Sequence, residues 1–191
     1  MNRSVIDLSM LCKVSPSAID VSYTARNTCT EPVFACGVPI DAARRQYPDQ
    51  AYCALSEDRT KLVLTLGFST LPSDRQVEVA ICGLYHRLGV GEKLEGTISI
   101  SLPVLEWNAY SLAVDTASTS DVFHVNQVLL KMASIRESEA LRVTQVSQSG
   151  LYVVVGRPLY VSRTAVLLTK IPVVEREWKF PREKVIGTKD Q

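Results

Sequence analysis

Only two histidines occur in the chain, His86 and His124, and their scarcity limits the chemistry open to it. Acyl transfer by serine or cysteine needs a nucleophile, a base within hydrogen-bond reach and a group orienting that base. Neither histidine has a partner suggested by spacing. Gly83-Leu84-Tyr85-His86 ends a strand-like run, and His124 precedes an apolar stretch. A Gly-x-Ser-x-Gly elbow is missing as well, because Ser149-Gly150 lacks the earlier glycine and reads as a hairpin turn. No catalytic residue is assigned.

Long hydrophobic runs are also missing. A membrane-spanning helix needs roughly 18–20 apolar residues, and nothing here approaches that length. Near the N-terminus, Val5 to Leu11 is interrupted by Asp7, and Leu11 stands where a lipoprotein signal has a small residue before its cysteine. The expectation is no signal peptide, no lipid anchor, no membrane contact and a cytoplasmic location. Charge of one sign is lacking too: 21 Lys and Arg face 20 Asp and Glu, for a net charge of +1. Arg44-Arg45 is the one basic doublet, far short of a stripe that tracks phosphates, so no nucleic-acid partner is expected.

Cysteine is present without a pairing pattern. Cys12, Cys29, Cys36, Cys53 and Cys82 are odd in number, and no Cys-x-x-Cys occurs. Three lie in strand-like apolar runs, where a thiol serves as a small hydrophobe, so free thiols are expected. Cys29, Cys36, Cys82 and His86 assemble a zinc site on paper only, with no knuckle to anchor it, and no metal is assigned. No cofactor is expected either. Gly89-Val90-Gly91-Glu92-Lys93 places Glu92 where a phosphate loop needs its lysine, and a strand follows. Glu137/Glu139 and Glu175/Glu177 are carboxylates two apart, which on a strand share one solvated face rather than flank a cleft.

What the chain has is period two. Ile19, Val21, Tyr23 and Ala25 alternate with Asp20, Ser22, Thr24 and Arg26, and Leu62, Leu64, Leu66 and Phe68 alternate with Lys61, Val63, Thr65 and Gly67. Val77, Val79 and Ile81 do the same, followed by Leu94, Ile98, Ile100 and Leu102. Successive side chains in a strand point to opposite faces, so each run buries one face and wets the other. Turn-forming residues separate the runs, and Ser56 to Thr60 reads as a hairpin between Tyr52–Leu55 and Leu62–Leu64. Val122 to Ile135 satisfies two periods. Val122, Val125, Leu129 and Met132 have helical spacing, with Ser120 or Asp121 as a cap, whereas Val128, Leu130 and Met132 have strand spacing. The flanking β segments favour a strand. Leu141–Val146, Leu151–Val155 and Leu159–Leu168 follow as further strands, and the double-faced apolar run Leu151–Val155 belongs inside a sheet.

Val21-Ser22-Tyr23-Thr24-Ala25-Arg26-Asn27, followed by Glu31-Pro32-Val33, resembles immunoglobulin-like bacterial β-sandwich modules, in which a strand ends at Asn and restarts at Pro-Val. Leu88 to Glu92, followed by the run Leu94 to Leu102, resembles a later element of the same modules. The intracellular proteinase-inhibitor type shares both features, over roughly Ser9 to Pro103, about half the chain. That type's aromatic and acidic positions between the two elements are not found here. The resemblance therefore implies a fold and not inhibition.

The expectation is an all-β chain: an antiparallel immunoglobulin-like β-sandwich with additional C-terminal strands and at most one helix. Residues 1–174 form a single domain, open to subdivision into 1–103 and 122–174, and residues 175–191 form a mixed-charge tail. Trp107, Tyr110, Trp178 and Phe180 lie outside the alternating strands, where aromatics either cap the ends of a sandwich or form an interaction surface. They are the candidate binding residues. Trp178 and Phe180, on one side of an extended segment that Pro181 ends, fit a clasp on the chain itself or a docking peptide. The function expected is a non-enzymatic interaction or scaffold module with a protein partner or a homo-oligomer. The alternatives are a component of a larger assembly, such as a phage or secretion particle, and a hydrolase with a site of unfamiliar form.

Overall fold

The computed structural model describes residues 5–39, 51–67, 83–107, 112–113, 121–146, 150–156, 160–174 and 178–179. Among them there are strands, one 3-10 turn at Glu137–Glu139 and no α-helix, so the chain is all-β. No helix among the described residues is long and apolar enough to cross a membrane.

Strands β1 (Ile6–Val14), β2 (Ala18–Asn27) and β7 (Lys93–Ser101) form an antiparallel three-stranded sheet in the order β1-β2-β7. Its inner face carries Ile6, Leu8, Met10, Ile19, Val21, Tyr23, Ala25, Ile98 and Ile100, all buried as the alternation requires. Tyr23 lies directly across from Gly96, and its ring covers that glycine so closely that a Cβ there would collide with it. The missing side chain is what lets the ring lie flat on the strand.

The larger sheet is organised by two long strands, β10 (Val122–Arg136) and β13 (Tyr160–Val174), which pair antiparallel. On its other edge β10 forks. Gln127 to Met132 run parallel to β5 (Lys61–Leu66), and Ser134 to Arg136 pair antiparallel with β3 (Val33–Val38). One arm continues from β5 to β4 (Tyr52–Leu55). The other runs from β3 through β6 (Leu84–Leu88) and β12 (Leu151–Gly156) to β11 (Ala140–Val146). A short β8 (Val104–Leu105) adds a second parallel pairing beside the end of β13, and β9 (Leu112–Ala113) pairs antiparallel with β14 (Trp178–Lys179). Most pairings are antiparallel as expected. The two parallel ones could not be read from alternation, which carries no information on strand direction.

The double period of residues 122–135 has a structural cause. Pairing with β13 shifts by two residues between Val125 and Gln127, where Asn126 alone faces residues 168–170 of β13. Such an irregularity interrupts the ladder, and the phase of the buried side chains changes across it. Val125 and Val128 are both buried although three residues apart, whereas Val122 and Leu129, which share the helical spacing with Val125 and Met132, are exposed and half-buried.

Inner faces of both sheets share one core, joining β1, β2 and β7 to Leu62, Leu64 and Leu66 of β5 and Val128, Leu130 and Met132 of β10. Each such side chain contributes about 1.5–3 kcal/mol on burial. A second cluster lies on the opposite face of the large sheet, comprising Phe34, Cys36, Tyr85, Ala133, Ile135 and Val154. Strand β3 therefore buries both faces. Strand β12 lies inside the sheet, as its apolar sequence suggested, but Val155 on its other face stays half exposed. The pair Glu137/Glu139 is not on a strand. It occupies the 3-10 turn, where Glu137 makes a two-pronged bond to Arg87 (2.7 and 2.8 Å) and Glu139 accepts a bond from the Tyr160 hydroxyl (3.0 Å). The expected run Val77 to Ile81 lies outside the described residues.

Candidate functional site

Trp107 is one of the four aromatics singled out by sequence, and it sits on the outer edge of β4. Its N–H donates to the carbonyl of Cys53 (2.8 Å), and the Cys53 N–H donates back to the Trp107 carbonyl (3.2 Å). This two-bond bridge makes Trp107 a one-residue extension of the sheet. Its indole packs on the Tyr52 ring, with centroids 4.8 Å apart and planes inclined by 37°. The adjacent Glu106 is buried, and its carboxylate accepts a bond from the Leu55 N–H (2.7 Å), closing the next position of the same edge. Trp107 is thus fixed from both sides, by backbone pairing and by its neighbour's side chain.

The two residues bound a cleft of about 590 Å³ over the outer face of the β4 arm, lined also by Val63, Thr65, Leu129 and Lys131. Strand register orders this face into rows. Ala54, Val63, Leu129 and Ala165 stand side by side across β4, β5, β10 and β13. On one flank the row Tyr52, Thr65, Lys131 and Arg163 ends in two cations, and on the other Lys61 and Gln127 lead to Leu167, which is 75% exposed. At the hairpin end Glu57 and Asp58 face the cleft. Hydrogen bonds from Ser56 and Thr60 hold the Asp58 carboxyl down at about 2, so it is anionic at any physiological pH.

Burial, and then the nearby Glu106 carboxylate, push the Cys53 thiol up to about 12, so it stays protonated and unreactive. His86 lies in β6 between Ala35 and Leu151, with its ring against Gly37, and burial lowers its pKa. His124 is exposed in β10, opposite Pro172. Among the described residues no three of His, Cys, Asp and Glu converge as metal ligands. Cys12, Cys29, Cys36 and Cys53 are free thiols, and Cys82 lies outside the described residues.

Of the other candidate residues, Tyr110 and Phe180 lie outside the described residues. Trp178 is on β14, where its backbone pairs with Ala113 of the same chain. Sequence reading missed Tyr52, Glu106 and the Lys131–Arg163 pair. Tyr52 was absorbed into an assigned strand, and Lys131 and Arg163 become neighbours only through a register that no local pattern fixes.

No protein-family model matches the chain, and no curated protein does. A solved structure of a β-glucosidase from Kluyveromyces marxianus in complex with glucose is similar over 92% of this chain, at 15% sequence identity and a TM-score of 0.26. The chain spans 15% of the length of that protein.

Proposed function

We propose that the chain is a non-enzymatic protein-interaction module on an immunoglobulin-like β-sandwich, acting in the cytoplasm through the outer face of β4, β5, β10 and β13. The observation that carries this reading is the cleft beside the immobilised Tyr52–Trp107 pair, from which an apolar row crosses four strands. A preorganised aromatic at the end of an apolar strip is the arrangement in which interface hot spots form. The sandwich assignment rests on two sheets sharing one core, and the cytoplasmic one on four free thiols.

Leu129 is half-buried at the centre of the row, and Leu129→Glu places a charge there without entering the core. Quantitative pull-down of the full-length chain from its native cells should lose the stoichiometric partner by at least about tenfold, corresponding to roughly 1.4 kcal/mol. The melting temperature should change little. An unchanged partner profile would remove this face from the reading.

A second reading, self-association or incorporation in a larger assembly, is favoured by β11. This strand pairs only with β12 among the described residues, and it exposes Leu141 (81%) and Val143 (42%). Exposed apolar edge strands recruit further strands unless they are protected. Light scattering on this reading gives a mass above one chain that Leu141→Lys with Val143→Lys returns to 21.1 kDa. A monomer at every concentration contradicts it.

A further inference from the structure

Resting on the reading that the open face binds protein, we infer that its partner presents an acidic segment with apolar anchors, laid across β4, β5, β10 and β13 with its carboxylates on Lys131 and Arg163. These two cations stand directly opposite each other on adjacent strands and face the same side of the sheet. Like charges in that position destabilise a sheet. Among the described residues no carboxylate pairs with either of them, whereas Arg87 has its own partner in Glu137. An acidic residue arriving from outside relieves that repulsion and forms a charge-assisted bond in the same step.

The apolar row beside them supplies the anchoring. With strands about 4.8 Å apart, Ala54, Val63, Leu129 and Ala165 span about 14 Å, the length of about four extended residues or nine helical ones. The two flanks of the row differ in charge, and that difference sets the side on which the segment's carboxylates lie. Glu57 and Asp58 at the hairpin repel carboxylates, while Lys131 and Arg163 attract them. The acidic residues of the segment therefore lie over the flank of Tyr52, Lys131 and Arg163, the side on which Trp107 packs, and neutral or basic ones lie towards the hairpin.

The test is panning of a random-peptide phage library on the immobilised full-length chain, with Lys131→Glu/Arg163→Glu and Leu129→Glu variants as comparators. The expected consensus has two or more apolar residues flanked by Asp or Glu. Peptides carrying it should bind the double variant at least tenfold more weakly and lose affinity as salt rises, and the double variant should select basic peptides instead. A neutral or basic consensus from the native chain that Leu129→Glu still weakens overturns the acidic partner and leaves the interaction reading standing. If nothing is enriched, or every enriched peptide ignores Leu129→Glu, the interaction reading itself fails.

Discussion

Replacing Asn27 with alanine is expected to lower stability by about 2–4 kcal/mol in a denaturant titration. Asn27 is 1% exposed at the end of β2. Its amide donates to the carbonyls of Glu31 (2.9 Å), Leu88 (3.2 Å) and Gly89 (3.0 Å), and its own side-chain oxygen accepts from the Cys29 N–H (2.8 Å). One side chain therefore ties the end of β2 to the lead into β3 and to the turn between β6 and β7. That turn is held in its own right by Glu92, whose N–H donates to the Gly89 carbonyl (3.1 Å) and whose carboxylate accepts the Gly89 N–H (2.6 Å). Gly91, at φ +76°, takes the position where a type II turn needs a left-handed residue. Asn27→Asp should be worse than alanine at neutral pH, because it sets a carboxylate against three carbonyl oxygens. It should recover in part on acidification, as the carboxyl regains a proton to donate. A loss below about 1 kcal/mol for the alanine variant would show that water replaces the amide and that the junction is not a keystone.

Glu106→Ala should cost about 1–3 kcal/mol, because the Leu55 N–H loses its acceptor beside the β4 edge. Glu106→Gln should cost clearly less, since its amide oxygen can accept the same bond. The comparison separates the hydrogen bond from the charge, and equal losses would contradict the role given to this carboxylate. Cys53 supplies a second readout. Burial is the larger cause of its raised pKa, so native-state reaction with a thiol reagent should stay slow in the glutamine variant. In the alanine variant it should quicken, as the loosened edge opens.

Much of the fold was legible because alternation is local. Ile19 to Ala25, Leu62 to Leu66 and Ile98 to Ile100 each declared a buried face, and the structure buries those faces. Residues 122–136 were ambiguous because the register with β13 shifts beside Asn126, and such a shift is fixed by the partner strand rather than by the residues themselves. Asn27 was visible as the point where a strand stops, but the three carbonyls it binds come from segments up to 62 residues away. The site divides in the same way. Trp107 stood out as an aromatic outside any alternating run. Tyr52, Glu106, Lys131 and Arg163 gain their meaning only from the pairing of β4 with β5, of β5 with β10 and of β10 with β13, and pairing is a long-range property of the chain.

On the proposed reading, another protein sits on the outer face of β4, β5, β10 and β13. Site-specific photo-crosslinking tests it most directly, with benzoylphenylalanine placed at Val63 in the middle of the row and, as a control, at Thr97. Thr97 is exposed on the outer face of β7, away from the cleft. After irradiation in the native cells, the Val63 position should give one dominant covalent adduct to a second protein, and the Thr97 position should give none. Equal labelling from both positions, or no adduct from Val63, would contradict the account.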